Sequence, residues 1–186
     1  MKILVLQLAR LGDIYMTWPV LRGLRRQYPN AEIHLVTRPR FEAAVEGLTA
    51  FDKHITLPTR HLLEPVIQDD GEVTEALVRT AEFTQQLRSE KYDWVMNLTF
   101  SPFSSYLTHA IAHPDARVTG YTRFADGTFS AGDAWGHYFY AQVGLDRHSR
   151  IHVTDLFGAM AEIQFTESDW APPVFKENSA LHLPER

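Results

Sequence analysis

The chain has 186 residues, enough for one domain with a sizeable core, and 45% of them are hydrophobic, as in an ordinary globular protein. The formal net charge of −5 leaves no chain-wide basic field, so nucleic acid is not expected as a partner, and the absence of cysteine excludes a disulfide framework and a thiol mechanism. No apolar stretch approaches the ~20 residues that span a bilayer, and Gln7, Arg10 and Asp13 break the first apolar run too early for a signal-peptide core.

Lys2 to Gln7 is a continuous run of Leu and β-branched residues, which predicts a buried strand of a parallel sheet. Residues 14–28 predict a helix, with Ile14, Trp18, Leu21 and Leu24 at helical spacing toward the sheet. Arg22, Arg25 and Arg26 then face solvent or an anionic membrane surface. Glu32 to Thr37 is the second strand, Arg40 to Gly47 a short helix closed by its glycine, and Lys53 to Leu57 the third strand. Residues 58–71, with Pro58, Pro65 and the turn Asp69-Asp70-Gly71, read as irregular. Glu72 to Ser89 is a helix whose core face is Val73, Ala76, Leu77, Phe83 and Leu87. Asp93 to Leu98 is the fourth strand, and Ser101 to Ala112 the helix after it, with Pro102 in its first turn. Arg117 to Tyr121 is the fifth strand, 122–135 a loop, and Ile151 to Ile163 the last helix. From Thr166 onward, Pro172, Pro173 and Pro184 predict a weakly structured tail or linker. Strands alternating with helices give the fold class: α/β, a Rossmann-like parallel sheet with helices on both faces.

In such a sheet, ligands bind at the carboxyl ends of the strands. Residues 8–19, Leu-Ala-Arg-Leu-Gly-Asp-Ile-Tyr-Met-Thr-Trp-Pro, follow the first strand directly. Asp13 stands where a helix begins, so it is either a helix cap or a carboxylate that takes a proton from a substrate hydroxyl. The single Gly12 is not a dinucleotide-binding G-x-G-x-x-G, and neither a P-loop nor H-E-x-x-H occurs. His109 and His113 are four apart, but two ligands do not make a zinc site, and no metal is expected. The Asn97-Leu98-Thr99 sequon falls at the end of a predicted strand and reads as accidental.

Five stretches in the same order resemble the lipopolysaccharide heptosyltransferase family, ADP-heptose-dependent GT-B enzymes of glycosyltransferase family 9. They are the opening strand with Leu11-Gly12-Asp13 and Thr17-Trp18-Pro19, then Tyr28-Pro29-Asn30-Ala31-Glu32-Ile33, then Tyr92-Asp93-Trp94-Val95-Met96-Asn97-Leu98. Arg117-Val118-Thr119-Gly120-Tyr121 and His152-Val153-Thr154-Asp155-Leu156 complete the set. The resemblance implies that residues 1–165 are the N-terminal, acceptor-binding Rossmann-like domain, one half of a GT-B architecture. Residues 166–186 would be linker or tail, and the C-terminal donor-binding domain is absent from this chain.

It further implies that Asp13 is the general base of an inverting transfer from ADP-heptose to the anionic lipopolysaccharide inner core. The nucleotide sugar is then a substrate reaching the missing domain, with no cofactor and no metal. The 186-residue chain alone is expected to be inactive, cytoplasmic, and in possible peripheral contact with the inner membrane. Arginine forks suit the carboxylates and phosphates of such an acceptor. Arg10, Arg38, Arg40, Arg60 and Arg123 each follow a predicted strand, although any one of them is equally well a solvated loop cation. The acceptor-binding set is Arg10, Gly12, Thr17, Arg38, Arg60, Thr99, Ser101 and Arg123, with Ser104 a further hydroxyl after strand four. Phe100, Phe103 and Phe124 are either core or a wall on which a sugar ring stacks. The sequence departs from the family at Asn97-Leu98-Thr99-Phe100, where the family often continues Asp/Gln-Gly. Two alternatives are a non-catalytic glycan-binding module lacking a donor domain and a flavodoxin-like domain that binds FMN.

Overall fold

A computed structural model describes residues 1–68, 71–142 and 151–173. Five parallel strands, β1 (Lys2–Leu6), β2 (Glu32–Thr37), β3 (Lys53–Thr56), β4 (Trp94–Asn97) and β5 (Arg117–Gly120), form one sheet in the order β3-β2-β1-β4-β5. Successive side chains of a strand point to opposite faces, so a central strand covered on both sides must be apolar throughout. Ile3 to Leu6 of β1 are fully buried and divide accordingly. Ile3 and Val5 join a core with Leu21 and Leu24 of α1 (Leu11–Gln27) and Phe157 and Met160 of α6 (Val153–Met160). Leu4 and Leu6 join a second core with Leu62 of α2 (Thr59–Ile67), Leu87 of α3 (Val73–Ser89), and Leu107 and Ile111 of α4 (Pro102–Ile111). The fold is therefore α/β and Rossmann-like, with helices on both faces of a parallel sheet.

Several segments differ from the sequence expectation. Within 58–71, expected to be irregular, Thr59–Ile67 forms α2 despite the internal Pro65. Leu62 drives it by burial, and the His61 carbonyl, which Pro65 cannot serve, accepts from Arg79 Nη1 at 2.7 Å. Asp69 and Asp70 of the expected turn lie outside the described residues. The expected helix at 40–47 is a 3₁₀ turn, Pro39–Val45, kinked at Phe41. The expected loop at 122–135 holds the antiparallel hairpin β6 (Thr122–Arg123) and β7 (Phe129–Ser130), closed through Gly127 at φ 81°. An unexpected helix, α5 (Ala134–Gln142), follows; Asp133 Oδ1 accepts from the backbone N–H groups of Trp135 and Gly136 at 2.9 and 3.0 Å and so opens it. His113 lies beyond the C-cap Ala112 of α4 and faces Asp115 at 3.5 Å, so it does not share a helix face with His109.

The expected weak tail is ordered as far as it is described; residues 174–186, with Pro184, lie outside the described residues. A 3₁₀ turn at Glu167–Trp170 buries Asp169 to 2% exposure. Arg26 grips the Asp169 carboxylate through Nη2 at 2.8 Å and Nε at 3.3 Å, and Arg22 donates to the Asp169 and Ala171 carbonyls. Arg25 pairs with Asp52. The three arginines expected toward solvent or a membrane surface thus tie the domain to itself. Among the described residues, no helix is long and apolar enough to cross a membrane.

Candidate active site

The order β3-β2-β1-β4-β5 reverses direction between β1 and β4, and a crevice at the carboxyl ends of strands opens at such a switch point. A cavity of about 460 Å³ lies there. Leu8, Ala9, Arg10 and Asp13 line it after β1, Arg38 after β2, Leu57 and Thr59 after β3, and Thr99, Phe100, Ser101 and Phe103 after β4. Leu62 and Leu63 of α2 and Thr80 of α3 complete the wall.

The loop from β1 to α1 is held from beneath by a buried polar network. Gln7, fully buried, donates from Nε2 to Thr17 Oγ1 at 3.1 Å and to the Leu98 carbonyl at 3.5 Å. Its Oε1 accepts from the Ala9 N–H at 3.2 Å and from Thr99 Oγ1 at 3.3 Å. Thr99 Oγ1 accepts in turn from the Leu8 N–H at 2.6 Å. Every polar group placed under the loop therefore has a partner, as buried groups require. Thr17 donates to the Asp13 carbonyl at 2.8 Å, which fixes the first turn of α1 against this network.

Asp13 sits in the first turn of α1, half-buried at the cavity. Its Oδ2 accepts from the Arg10 N–H at 2.9 Å, which closes the helix start and orients the carboxylate. Capping and a place at the cavity thus belong to the same side chain. Arg38 reaches across from β2: Nη2 donates to the Ala9 carbonyl at 2.6 Å, and the guanidinium lies over the Phe41 ring at 4.9 Å. Its Nε is buried with no hydrogen-bond partner, a donor that an anionic ligand oxygen would satisfy. A carboxylate and two guanidinium-bearing residues therefore share one cavity whose remaining wall is largely apolar.

The structure brings Asp13, Arg10, Arg38, Thr99 and Ser101 together at this cavity, with Phe100 and Phe103. Ser101 caps α4, its hydroxyl accepting from the Ser104 N–H at 3.0 Å, and Ser104 is fully buried behind it. Thr17 is fully buried behind Asp13 instead of lining the cavity, so its role is back-bonding to the helix. Gly12 is exposed, and a Cβ there would meet nothing within 4 Å, so no close approach requires the glycine. Arg60 is exposed on α2 and is not part of the lining. Arg40 is exposed as well, its guanidinium 6.0 Å from the Phe41 ring centre. Arg123 lines a neighbouring hollow, with Nε donating to Ser105 Oγ at 2.9 Å and Nη1 to the Gly127 carbonyl at 3.3 Å. Phe124 is exposed and lines neither. Asn97, the sequon asparagine, is fully buried, and its Nδ2 donates to Ser104 Oγ and the Tyr121 carbonyl. Sequence reasoning missed Gln7 and Thr80; a glutamine closing an otherwise apolar strand was the available signal for the first.

No family model matches the sequence, and a search of curated proteins finds no match. Solved structures do match. The crystal structure of the glycosyl transferase family 9 from Veillonella parvula DSM 2008 superposes with a TM-score of 0.60 at 22% identity, covering 90% of this chain and 42% of that one. E. coli heptosyltransferase WaaC with ADP-2-deoxy-2-fluoro heptose gives a TM-score of 0.59 at 17% identity, covering 90% of this chain and 50% of that one. WaaC with ADP gives 0.59 at 16% identity, covering 90% and 49%. This chain spans half or less of the length of these structures. A family 9 glycosyltransferase and a heptosyltransferase thus share with this chain its Rossmann-like α/β fold.

Proposed function

We propose that this chain is the acceptor-binding half of a glycosyltransferase of the heptosyltransferase type. In this reading a sugar passes from a nucleotide sugar, ADP-heptose, to a lipopolysaccharide inner-core acceptor with inversion. The observation that carries it is the Asp13 carboxylate sharing the switch-point cavity with Arg10 and Arg38. The fold likeness to WaaC, a protein solved with ADP and with an ADP-heptose analogue, supports the donor class. Arg10 and Arg38 hold an anionic group of the acceptor, and Ser101 meets its hydroxyls, while Thr99 supports the loop from beneath. Asp13 takes the proton from the attacking hydroxyl as that oxygen bonds to the anomeric carbon. The bond from that carbon to the diphosphate breaks on the opposite face, and the nucleoside diphosphate leaves with the electron pair. Such a base contributes about 10²- to 10⁴-fold in rate. No metal or cofactor enters the proposed step. The donor binds a further domain outside residues 1–165, and the protein works in the cytoplasm at the inner membrane.

Calorimetric titration of the 186-residue chain with two ligands tests this. A soluble Kdo-containing core fragment binds and ADP-heptose does not, if this is the acceptor half. Binding of ADP-heptose assigns the chain to the donor side and overturns the reading, as does binding of neither ligand.

A further inference from the structure

Val73 and Leu77, expected on the core face of α3, stand 60% and 64% exposed. Their neighbours share that exposure. α2 packs on α3 and α3 on α4, and among the described residues eight large apolar side chains of these three helices are 43–74% exposed. At about 200 Å² of full surface apiece and about half of it in water, they present on the order of 900 Å². The largest apolar patch of a monomer is commonly about 300–600 Å², and one partner of a stable interface contributes about 800 Å². This face therefore carries the apolar area of a subunit interface.

Its relief is self-complementary. A hollow of about 270 Å³ lies between α3 and α4. The small side chains Ala81, Thr84 and Ala110 line part of it, and Leu77, Phe103 and Tyr106 stand large and exposed around the rest. A second copy turned about a two-fold axis brings its large side chains to the hollow of the first and offers its own hollow in return, which is the isologous contact of a symmetric dimer.

Charge favours the same occupant. The lining of the hollow is uncharged, so covering it desolvates no ion. Arg79, also on α3, already pairs with Glu64 and Glu75, so the rim offers no isolated cation to a phosphate headgroup. Glu72, Glu75 and Glu82 are exposed on the same helix and repel an anionic bilayer.

We propose that α3 and α4 form a two-fold interface with a second copy of this chain. Phe103 lines both the hollow and the switch-point cavity, so the partner copy stands at the edge of that cavity. This inference does not depend on the acceptor assignment.

Sedimentation velocity of the 186-residue chain between about 1 μM and about 100 μM tests it. The chain sediments as a dimer at the upper end and dissociates on dilution. Leu77→Glu, at a position already 64% exposed, keeps the circular dichroism of the parent and weakens the dimer at least about tenfold. Hydrogen exchange of the parent gains protection at 77–84 and 103–110 at the higher concentration. A monomer at every concentration overturns the proposal. So does a dimer that Leu77→Glu leaves intact, or one whose added protection falls on other residues, because its contact lies elsewhere. Flotation of the monomeric parent with phosphatidylglycerol vesicles, lost in Leu77→Glu, assigns the face to a bilayer and overturns the second copy.

Discussion

Replacing Gln7 with Met separates hydrogen bonding from packing as the force that holds the Asp13 loop. The two side chains are similar in volume, so the apolar contacts persist and the four polar contacts go. Those contacts run from 3.1 to 3.5 Å, at the long end of the range, and each is taken at about 0.5 kcal/mol, for about 2 kcal/mol together. The Thr99 hydroxyl, 4% exposed, is left without an acceptor, which adds about 1 kcal/mol. The total of about 3 kcal/mol lowers the melting temperature by about 6–12 °C in a domain of this size. Urea unfolding followed by tryptophan fluorescence reads the loss, and hydrogen exchange at Leu8 and Ala9 reads the loop itself. The midpoint falls with an unchanged denaturant slope, and both amides exchange faster. A loss below about 1 kcal/mol with unchanged exchange at Ala9 refutes the reasoning and assigns the loop to packing alone.

Joined to a donor-binding domain, Asp13→Asn lowers turnover by at least ~10²-fold with donor affinity little changed; near-normal steady-state turnover removes Asp13 from the step. Asp169→Ala removes the buried carboxylate that Arg26 and the Thr166 N–H share and lowers the transition temperature in scanning calorimetry, whereas an unchanged transition assigns the 166–171 segment to packing. Gly120→Ala places a Cβ 2.1 Å from the Asn97 carbonyl oxygen at a φ of 81°, so the variant fails to yield folded protein on gel filtration. In acid, the Lys2 and Lys53 ammonium groups hold the Glu90 carboxyl down at about 2, below its ordinary 4.5. A depressed carboxyl stabilises the fold fully above the ordinary value and ceases to do so as pH falls from about 4.5 toward 2. Glu90→Gln therefore flattens the acid limb of the stability curve, which denaturation at stepped pH will show.

The strands and α1 were legible because each reports its environment in its own residues, whereas on α3 the expected core residues Val73 and Leu77 are exposed and only Ala76 and Leu87 are buried. Ile3 to Leu6 are apolar on both faces because both faces are covered, and α1 carries Ile14, Trp18, Leu21 and Leu24 at helical spacing. What escaped depends on partners distant in sequence. α2 tolerates Pro65 because Arg79, from α3, reaches the His61 carbonyl. The 166–171 segment is ordered because Arg22 and Arg26 lie nearly 150 residues earlier. In the site, topology located Asp13, Arg10 and Arg38, since any residue just after a parallel strand lies on the crevice side. The same rule placed Arg60 and Arg123 there as well; Arg60 is exposed at the start of α2 outside the lining, and Arg123 is held by Ser105 beside the neighbouring hollow. Thr80, in mid-helix on α3, has no local mark of its position at the cavity.

α1 is a helix of 17 residues, about 25 Å long, with Pro19 in its interior. One end bears Asp13; the other bears the two arginines that grip the 169–171 segment. Between those arginines, Gly23 lies so close to Ile163 that an added Cβ would stand 2.3 Å from the isoleucine methyl, so the helix is packed tightly against its neighbour as well as tethered. The 3₁₀ segment at 167–170 and the Asp13 side of the cavity are therefore anchored to one and the same helix, which ties the position of the one to that of the other.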